Sequence, residues 1–206
     1  MNRTSAQSHR GTRRARPCGI TLLLLLPLLL LACASSKEED NGGDPLGCTL
    51  NTSFVERSVQ SGSVILRTES TPCAELNLDV AFNGVSDIFT VGFDLTYPTG
   101  VFTFDGYTEG PLLKQGPPAT PPFFSVTHDP GTGRILVFAT RFSPDAAVNS
   151  SGSSVLLTLH FNALAAGQGA VLFDLSASPV QEQVLNDSGG AVSVTFVNGS
   201  NTARVF

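Results

Sequence analysis

Apolar and polar positions along residues 64–197 alternate in short runs, broken by Gly, Pro, Asn, Asp and Ser. A period of two sends successive side chains to opposite faces of an extended strand. Leu76, Leu78, Val80 and Phe82 therefore share one face of a strand within 74–82. The division over 88–97 is cleaner. Phe89, Val91, Phe93, Leu95 and Tyr97 fall on one side, and Thr90, Gly92, Asp94 and Thr96 on the other. Residues 64–66 predict a short strand before these, and Val101, Phe102 and Phe104 begin another after the Pro98 and Gly100 break.

Residues 123–128 and 134–141 flank the sequence DPGTG at 129–133, which predicts a hairpin. Val155, Leu157, Leu159 and Phe161 are expected on one face of the next strand. Segments 170–175 and 191–197 bring the total to about nine strands. The proline-rich stretch 112–122 predicts a loop between sheets, and 143–154 a second, polar loop. No long stretch has the three-and-four spacing of a helix, and no repeat of fixed period occurs. This texture belongs to an all-β sandwich or barrel.

The N-terminus has a different pattern. Arg3, Arg10, Arg13, Arg14 and Arg16 form a basic leader without an acidic residue, and 20–31 is apolar apart from Thr21 and Pro27. That is the layout of an export signal. About 12 apolar residues are too few to cross a bilayer core as a helix. The run ends in LLAC at 30–33, which resembles the lipobox of bacterial lipoproteins. The resemblance implies a signal peptide over 1–32 and lipidation of Cys33, with acyl chains as the membrane anchor. Ala34 at the second mature position resembles outer-membrane sorting. The tether, 33–46, is polar, acidic and Gly-rich, with nothing to bury. The dozen residues 34–45 within it would reach roughly 40 Å when stretched, holding the domain clear of lipid.

One domain is expected over 47–206. Without the five leader arginines, seven Lys+Arg face seventeen Asp+Glu, a net charge of about −10. Such a surface is poorly suited to nucleic acid, whose binding relies on cationic contacts. Cys18 lies in the signal and Cys33 is the anchor. Cys48 and Cys73 remain in an oxidising compartment, where a disulfide between them is expected, the other arrangement being two buried thiols.

Catalytic chemistry finds little to build on, and no cofactor is implied. His128 and His160 are the only mature histidines, and neither has metal-ligand spacing around it. His160 alternates with Leu159 and Phe161, so it is expected to point to solvent. No Gly-Xaa-Ser-Xaa-Gly elbow occurs. Asp94 and Asp174 could be imagined as an acid and base pair, but they read as two exposed strand residues. Segments 40–44 and 129–133 lack the ligand register of an EF-hand loop.

The succession of strands resembles the cohesin domain family. The residues that carry it are VGFDLTYPTGVF at 91–102, GRILVFA at 133–139 and GSSVLLTLHF at 152–161, within a span of roughly 63–197. Family members commonly have Asp after the strand-ending Tyr, and here Pro98 stands after Tyr97. The resemblance implies a roughly nine-stranded β-sandwich of jelly-roll type. It further implies a non-catalytic receptor for a dockerin-type module that carries its own calcium, linked to polysaccharide degradation.

The alternative is a carbohydrate-binding module recognising a polysaccharide directly. Such modules stack Trp or Tyr on sugar rings, whereas this chain has no Trp and only two Tyr. Phe123 and Phe124 are the stacking candidates. They are adjacent on a strand, so one of them should face outward.

By analogy with cohesins, the partner would dock on a flat sheet face drawing on Thr90, Asp94, Thr96, Thr127, Leu136, Phe138 and Asp174. Strand 134–141 is apolar on both faces, with Ile135, Val137 and Ala139 against Leu136 and Phe138. One set needs cover from the 112–122 loop, the second sheet or a partner. With a partner, Leu136 and Phe138 would be the apolar centre, and Asp94 and Thr96 part of a hydrogen-bonding rim.

Overall fold

A computed structural model describes residues 51–53, 60–68, 74–116, 119–176, 183–198 and 202–205. The leader 1–32, the tether 33–46, and Cys33, Cys48 and Cys73 lie outside the described residues. In chain order the strands are β1 (Asn51–Ser53), β2 (Ser63–Thr68), β3 (Glu75–Asn83), β4 (Thr90–Thr96) and β5 (Phe102–Glu109). A 3-10 turn (Leu112–Lys114) precedes β6 (Phe123–Asp129), β7 (Arg134–Thr140), β8 (Ser153–Ala163), β9 (Gly167–Ala170) and β10 (Leu172–Phe173). β11 (Gln183–Leu185), β12 (Thr195–Val197) and β13 (Thr202–Val205) follow.

Two main sheets form a sandwich. The first has the order β10-β4-β7-β6, with β11 pairing β4 on the same side as β10. The second has the order β12-β2-β3-β8-β5. Every pairing in them is antiparallel except β12 with β2. A smaller sheet, β1-β13-β9, joins the first and last described strands and adds β9 on the other side of β13. The expected jelly-roll sandwich is thus the observed architecture. Thirteen strand segments replace about nine because several are only two to four residues long.

Alternation places the core as the sequence predicts. Leu76, Leu78, Val80 and Phe82 of β3 are fully buried, as are Val91, Phe93 and Leu95 of β4, and Tyr97 is nearly so. Burying each such side chain contributes about 1.5–3 kcal/mol. The rings meet edge to face: Phe93 and Phe173 have centroids 5.6 Å apart, and Phe173 and Phe196 5.1 Å. The hairpin of β6 and β7 forms across DPGTG, with Asp129 Oδ1 accepting from the Gly131 N–H at 2.9 Å and Oδ2 from the Thr132 hydroxyl at 2.8 Å. Gly133 closes this turn at φ +68, where a Cβ would sit 2.2 Å from the Tyr97 carbonyl oxygen. Both facts demand glycine.

Three expectations need correction. Val155 does not share the core face of Leu157. The β3–β8 register shifts between Val80 and Ala81, so Val80 faces Leu157 while Ala81 faces Val155. A β-bulge adds one residue and re-aims the strand before it. Leu156 takes the buried place and Val155 is left half-buried. The proline-rich loop is more than an excursion, since its turn sends Leu112 and Leu113 fully into the core. The polar loop 143–154 also reaches inward. Val148 is buried and bridges to Ile88, with N–H to O distances of 2.8 and 2.9 Å in the two directions, and 153–154 already belong to β8.

Candidate sheet-face binding site

Directly opposed residues on neighbouring strands share a face, so the registers assemble the outward surface of the first sheet. One row runs Leu172, Thr96, Arg134, Asp129 and the next Asp94, Leu136, Thr127. Then come Gln183, Gly92, Phe138, Ser125 and finally Leu185, Thr90, Thr140, Phe123. Asp174 follows β10, and its N–H donates to the Asp94 carbonyl at 3.0 Å, which continues the second row. All seven residues suggested for partner binding, Thr90, Asp94, Thr96, Thr127, Leu136, Phe138 and Asp174, therefore fall on this one surface.

It carries two exposed aromatic rings, one on the interior strand β7 and one at the start of the edge strand β6. Phe138 is 43% exposed and Phe123 48%, with ring centroids 6.5 Å apart and planes tilted by 57°. Phe124 points the other way and is 9% exposed, so it is core and not a stacking surface. The cover required by the two apolar sets of β7 is therefore divided. The second sheet takes Ile135, Val137 and Ala139, while Leu136 stays half-buried and Phe138 open. Around the rings stand hydroxyls. Thr90 and Thr140 hydrogen-bond to each other at 2.7 Å, and Ser125 and Thr127 flank Phe138 and Leu136 along β6.

Asp94 departs from its expected exposure. It is 0% exposed. β4 is an interior strand with β7 on one side and β10 and β11 on the other, so an outward residue is walled by both neighbours. The Arg134 guanidinium, one pair further along β7, donates to Asp94 Oδ2, and Oδ1 has no hydrogen-bond partner. A buried carboxylate needs such a counter-charge, because leaving it unpaired would cost several kcal/mol. Asp94 thus braces Arg134 beneath the surface, and the polar rim passes to the threonines. Asp174 is half-buried, with Oδ1 accepting from the Ser176 N–H at 3.2 Å and hydroxyl at 2.8 Å.

The opposite face of the sandwich carries a polar network that the sequence did not single out. Asp79 on β3 is clasped by Arg67 on β2 and by the Thr158 hydroxyl on β8. His160 does sit on the outer face, but it is held there, with Nδ1 2.7 Å from Asn77 Oδ1 and Nε2 2.8 Å from the Thr108 hydroxyl. The only sequence signal was a shared alternation of polar residues along β3 and β8. His128 is also engaged, with Nε2 2.6 Å from the Tyr97 hydroxyl. Burial raises the Tyr97 pKa, an effect partly offset by a hydrogen bond from the Phe104 backbone and reinforced by the Asp129 charge. Asp129 is held below the usual carboxylate range by the Thr132 hydroxyl and the Gly131 N–H. Among the described residues, no three His, Cys, Asp or Glu side chains are grouped to share a metal ion.

Solved structures to which this chain is similar include cohesins. A type I cohesin–dockerin complex from Clostridium thermocellum superposes with a TM-score of 0.52 at 14% identity, covering 67% of this chain and 95% of that one. A non-cellulosomal cohesin from Archaeoglobus fulgidus gives 0.50 at 16%, covering 68% and 88%. The sixth cohesin of scaffoldin B from Acetivibrio cellulolyticus, in complex with a Cel5 dockerin variant, gives 0.50 at 17%, covering 68% and 94%. At these identities the likeness is one of fold. No protein-family model matches the chain, and no curated protein matches it.

Proposed function

We propose that this cohesin-fold chain is a non-catalytic cell-surface lipoprotein that captures a protein partner on the outward face of its first sheet. The observation that carries the reading is the half-exposed pair Phe123 and Phe138, set beside threonine hydroxyls on the outward face of that sheet. Aromatic side chains cost little conformational entropy when immobilised and dominate interface energetics. Exposed aromatic rings beside polar groups are the anatomy of a protein-binding patch. The partner proposed is a dockerin-type module that brings its own calcium, as part of an apparatus for polysaccharide degradation. Two of the solved neighbours described above are cohesins in complex with dockerins. Attachment is proposed through acyl chains on Cys33, most readily in the outer membrane, with 33–46 as tether and 47–206 as the binding domain.

The alternative partner, a polysaccharide, is less well matched. Phe123 and Phe138 are tilted by 57° to each other, so they do not form the coplanar platform that stacks on successive sugar rings.

The test uses the full chain and a purified dockerin-bearing protein encoded by the same genome. Calorimetry should show calcium-dependent binding that Phe138→Asp abolishes. Circular dichroism of the variant should be unchanged, because the ring is already 43% exposed. Capture that survives the substitution would move the site elsewhere. Retardation on cellulose, xylan or chitin, lost in Phe123→Ala, would favour the glycan reading. Cys33→Ala should end palmitate labelling and release the chain from membranes; unchanged labelling would remove the anchor from the proposal.

A further inference from the structure

The edges of the two main sheets are not alike. β10, β11 and β12 are two or three residues long, too short to template another chain. β5 is longer, but its pairing with β8 is bulged between Phe104 and Gly106, and it carries Asp105 and Glu109. β6 has none of these defences. Its seven residues stay in unbroken register with β7, contain no proline, Lys or Arg, and carry a carboxylate only at the last position, Asp129.

Hydrogen-bond phase fixes which main-chain groups of β6 are open. The N–H and C=O of one strand residue point to the same side, and successive residues alternate. The Asp94 carbonyl accepts from the Asp174 N–H, so the even-numbered residues of β4 turn toward β10 and β11. The odd-numbered ones turn toward β7, a set continued by the Tyr97 N–H donating to the Gly133 carbonyl at 2.9 Å. The registers carry this phase outward. Leu136 and Phe138 face β6, and Phe123, Ser125 and Thr127 face β7 in return. The N–H and C=O of Phe124, Val126 and His128 therefore point out of the sheet. Among the described residues, no hydrogen bond to another segment takes them up.

We infer that two copies of this chain pair along β6, antiparallel, about a two-fold axis through Val126. The strand is its own complement in that register. Val126 meets Val126 of the second copy, Phe124 meets its His128, and Ser125 its Thr127, so outward residues lie beside outward ones. Every open N–H and C=O then faces a partner group. The Ser125 and Thr127 hydroxyls gain cross-strand neighbours, and Asp129 falls opposite Phe123, so like charges are not opposed. Neighbouring registers do worse. An axis through Ser125 sets His128 against Pro122, and one through Thr127 sets Phe124 against Pro130, neither of which has an N–H to give. Val126 and His128 are only half-buried at the rim of the core, and the added strand covers them. The contact uses the edge of the sheet, not its outward face, so it stands independently of the protein-partner reading.

The experiment combines sedimentation equilibrium and amide hydrogen exchange on the full chain in density-matched detergent. The expected result is a monomer–dimer equilibrium with a dissociation constant on the order of 100 µM, because a single strand pair is a small interface. Rising concentration should slow exchange at the Phe124, Val126 and His128 amides and change Ser125 and Thr127, already bonded to β7, little. Val126→Pro removes an outward N–H and none of the bonds to β7, so it should abolish the dimer with unchanged circular dichroism. Thr127→Lys places a cation on the exposed side of β6, clear of the core, and should raise the dissociation constant about tenfold even if the proline disturbs the strand. A chain that stays monomeric throughout, or a dimer that persists unchanged in the lysine variant, would overturn the inference. So would exchange at the Phe124, Val126 and His128 amides that is independent of concentration. Slowing that appears only when an extended peptide of another protein is added would assign the edge to that partner and overturn the pairing of copies.

Discussion

Arg67 grips a single oxygen of Asp79 across the β2–β3 pair, with Nε at 3.0 Å and Nη2 at 2.9 Å from Oδ2. The two residues are direct cross-strand partners, and the Thr158 hydroxyl donates to the other oxygen at 2.7 Å. The Asp79 carboxylate is buried while the guanidinium remains partly exposed. Arg67→Met keeps the apolar stem but leaves that carboxylate without its counter-charge. The loss of stability, read from denaturant midpoints, should be about 2 kcal/mol. Adding Asp79→Leu in the same chain should recover most of it, since removing both partners removes the desolvation cost. A double variant as unstable as the single one would mean that the pair acts through something other than charge compensation.

The bulge in β8 makes an unequal pair of neighbours. Leu156 is fully buried and Val155 is not, although alternation with Leu157 assigns the core to Val155. Leu156→Ala should cost about 3 kcal/mol by opening a cavity, and Val155→Ala about 1 kcal/mol or less. The reverse order would place the irregularity elsewhere in the strand.

Tyr97 gives the domain an alkaline limb. Its pKa is raised in the folded state chiefly by burial, from an ordinary value of 10.0. A raised pKa means that the unfolded chain ionises first. The stability tied to the neutral phenol is therefore fully present below pH 10.0 and is lost as pH climbs through the folded-state value. Tyr97→Phe should flatten this part of the stability profile while costing about 1 kcal/mol at neutral pH through the lost His128 hydrogen bond. An alkaline slope identical in the variant would assign the titration to another group.

Alternation alone determined much of this protein. It separated Leu76, Leu78, Val80 and Phe82 from their polar neighbours, set Phe93 and Leu95 against Asp94 and Thr96, and put Phe123 and Phe124 on opposite faces. These results are local consequences of a two-residue repeat, and the DPGTG turn is likewise chemistry within a few residues. The sheet face was legible for the same reason, since its residues occupy the outward set of their strands. Only the tertiary structure decided which outward residues are truly open. Asp94 and Phe138 both have outward register, yet Asp94 is enclosed by β7 and β10 and by Arg134, while Phe138 stays exposed. The exchange of Val155 for Leu156 depends on the register against β3, which no single strand encodes. The joining of Arg141 with Leu113 and Gln115 depends on contacts 28 and 26 residues apart. Strand periodicity carries no information about which distant segment will cover a given face, and packing alone supplies it.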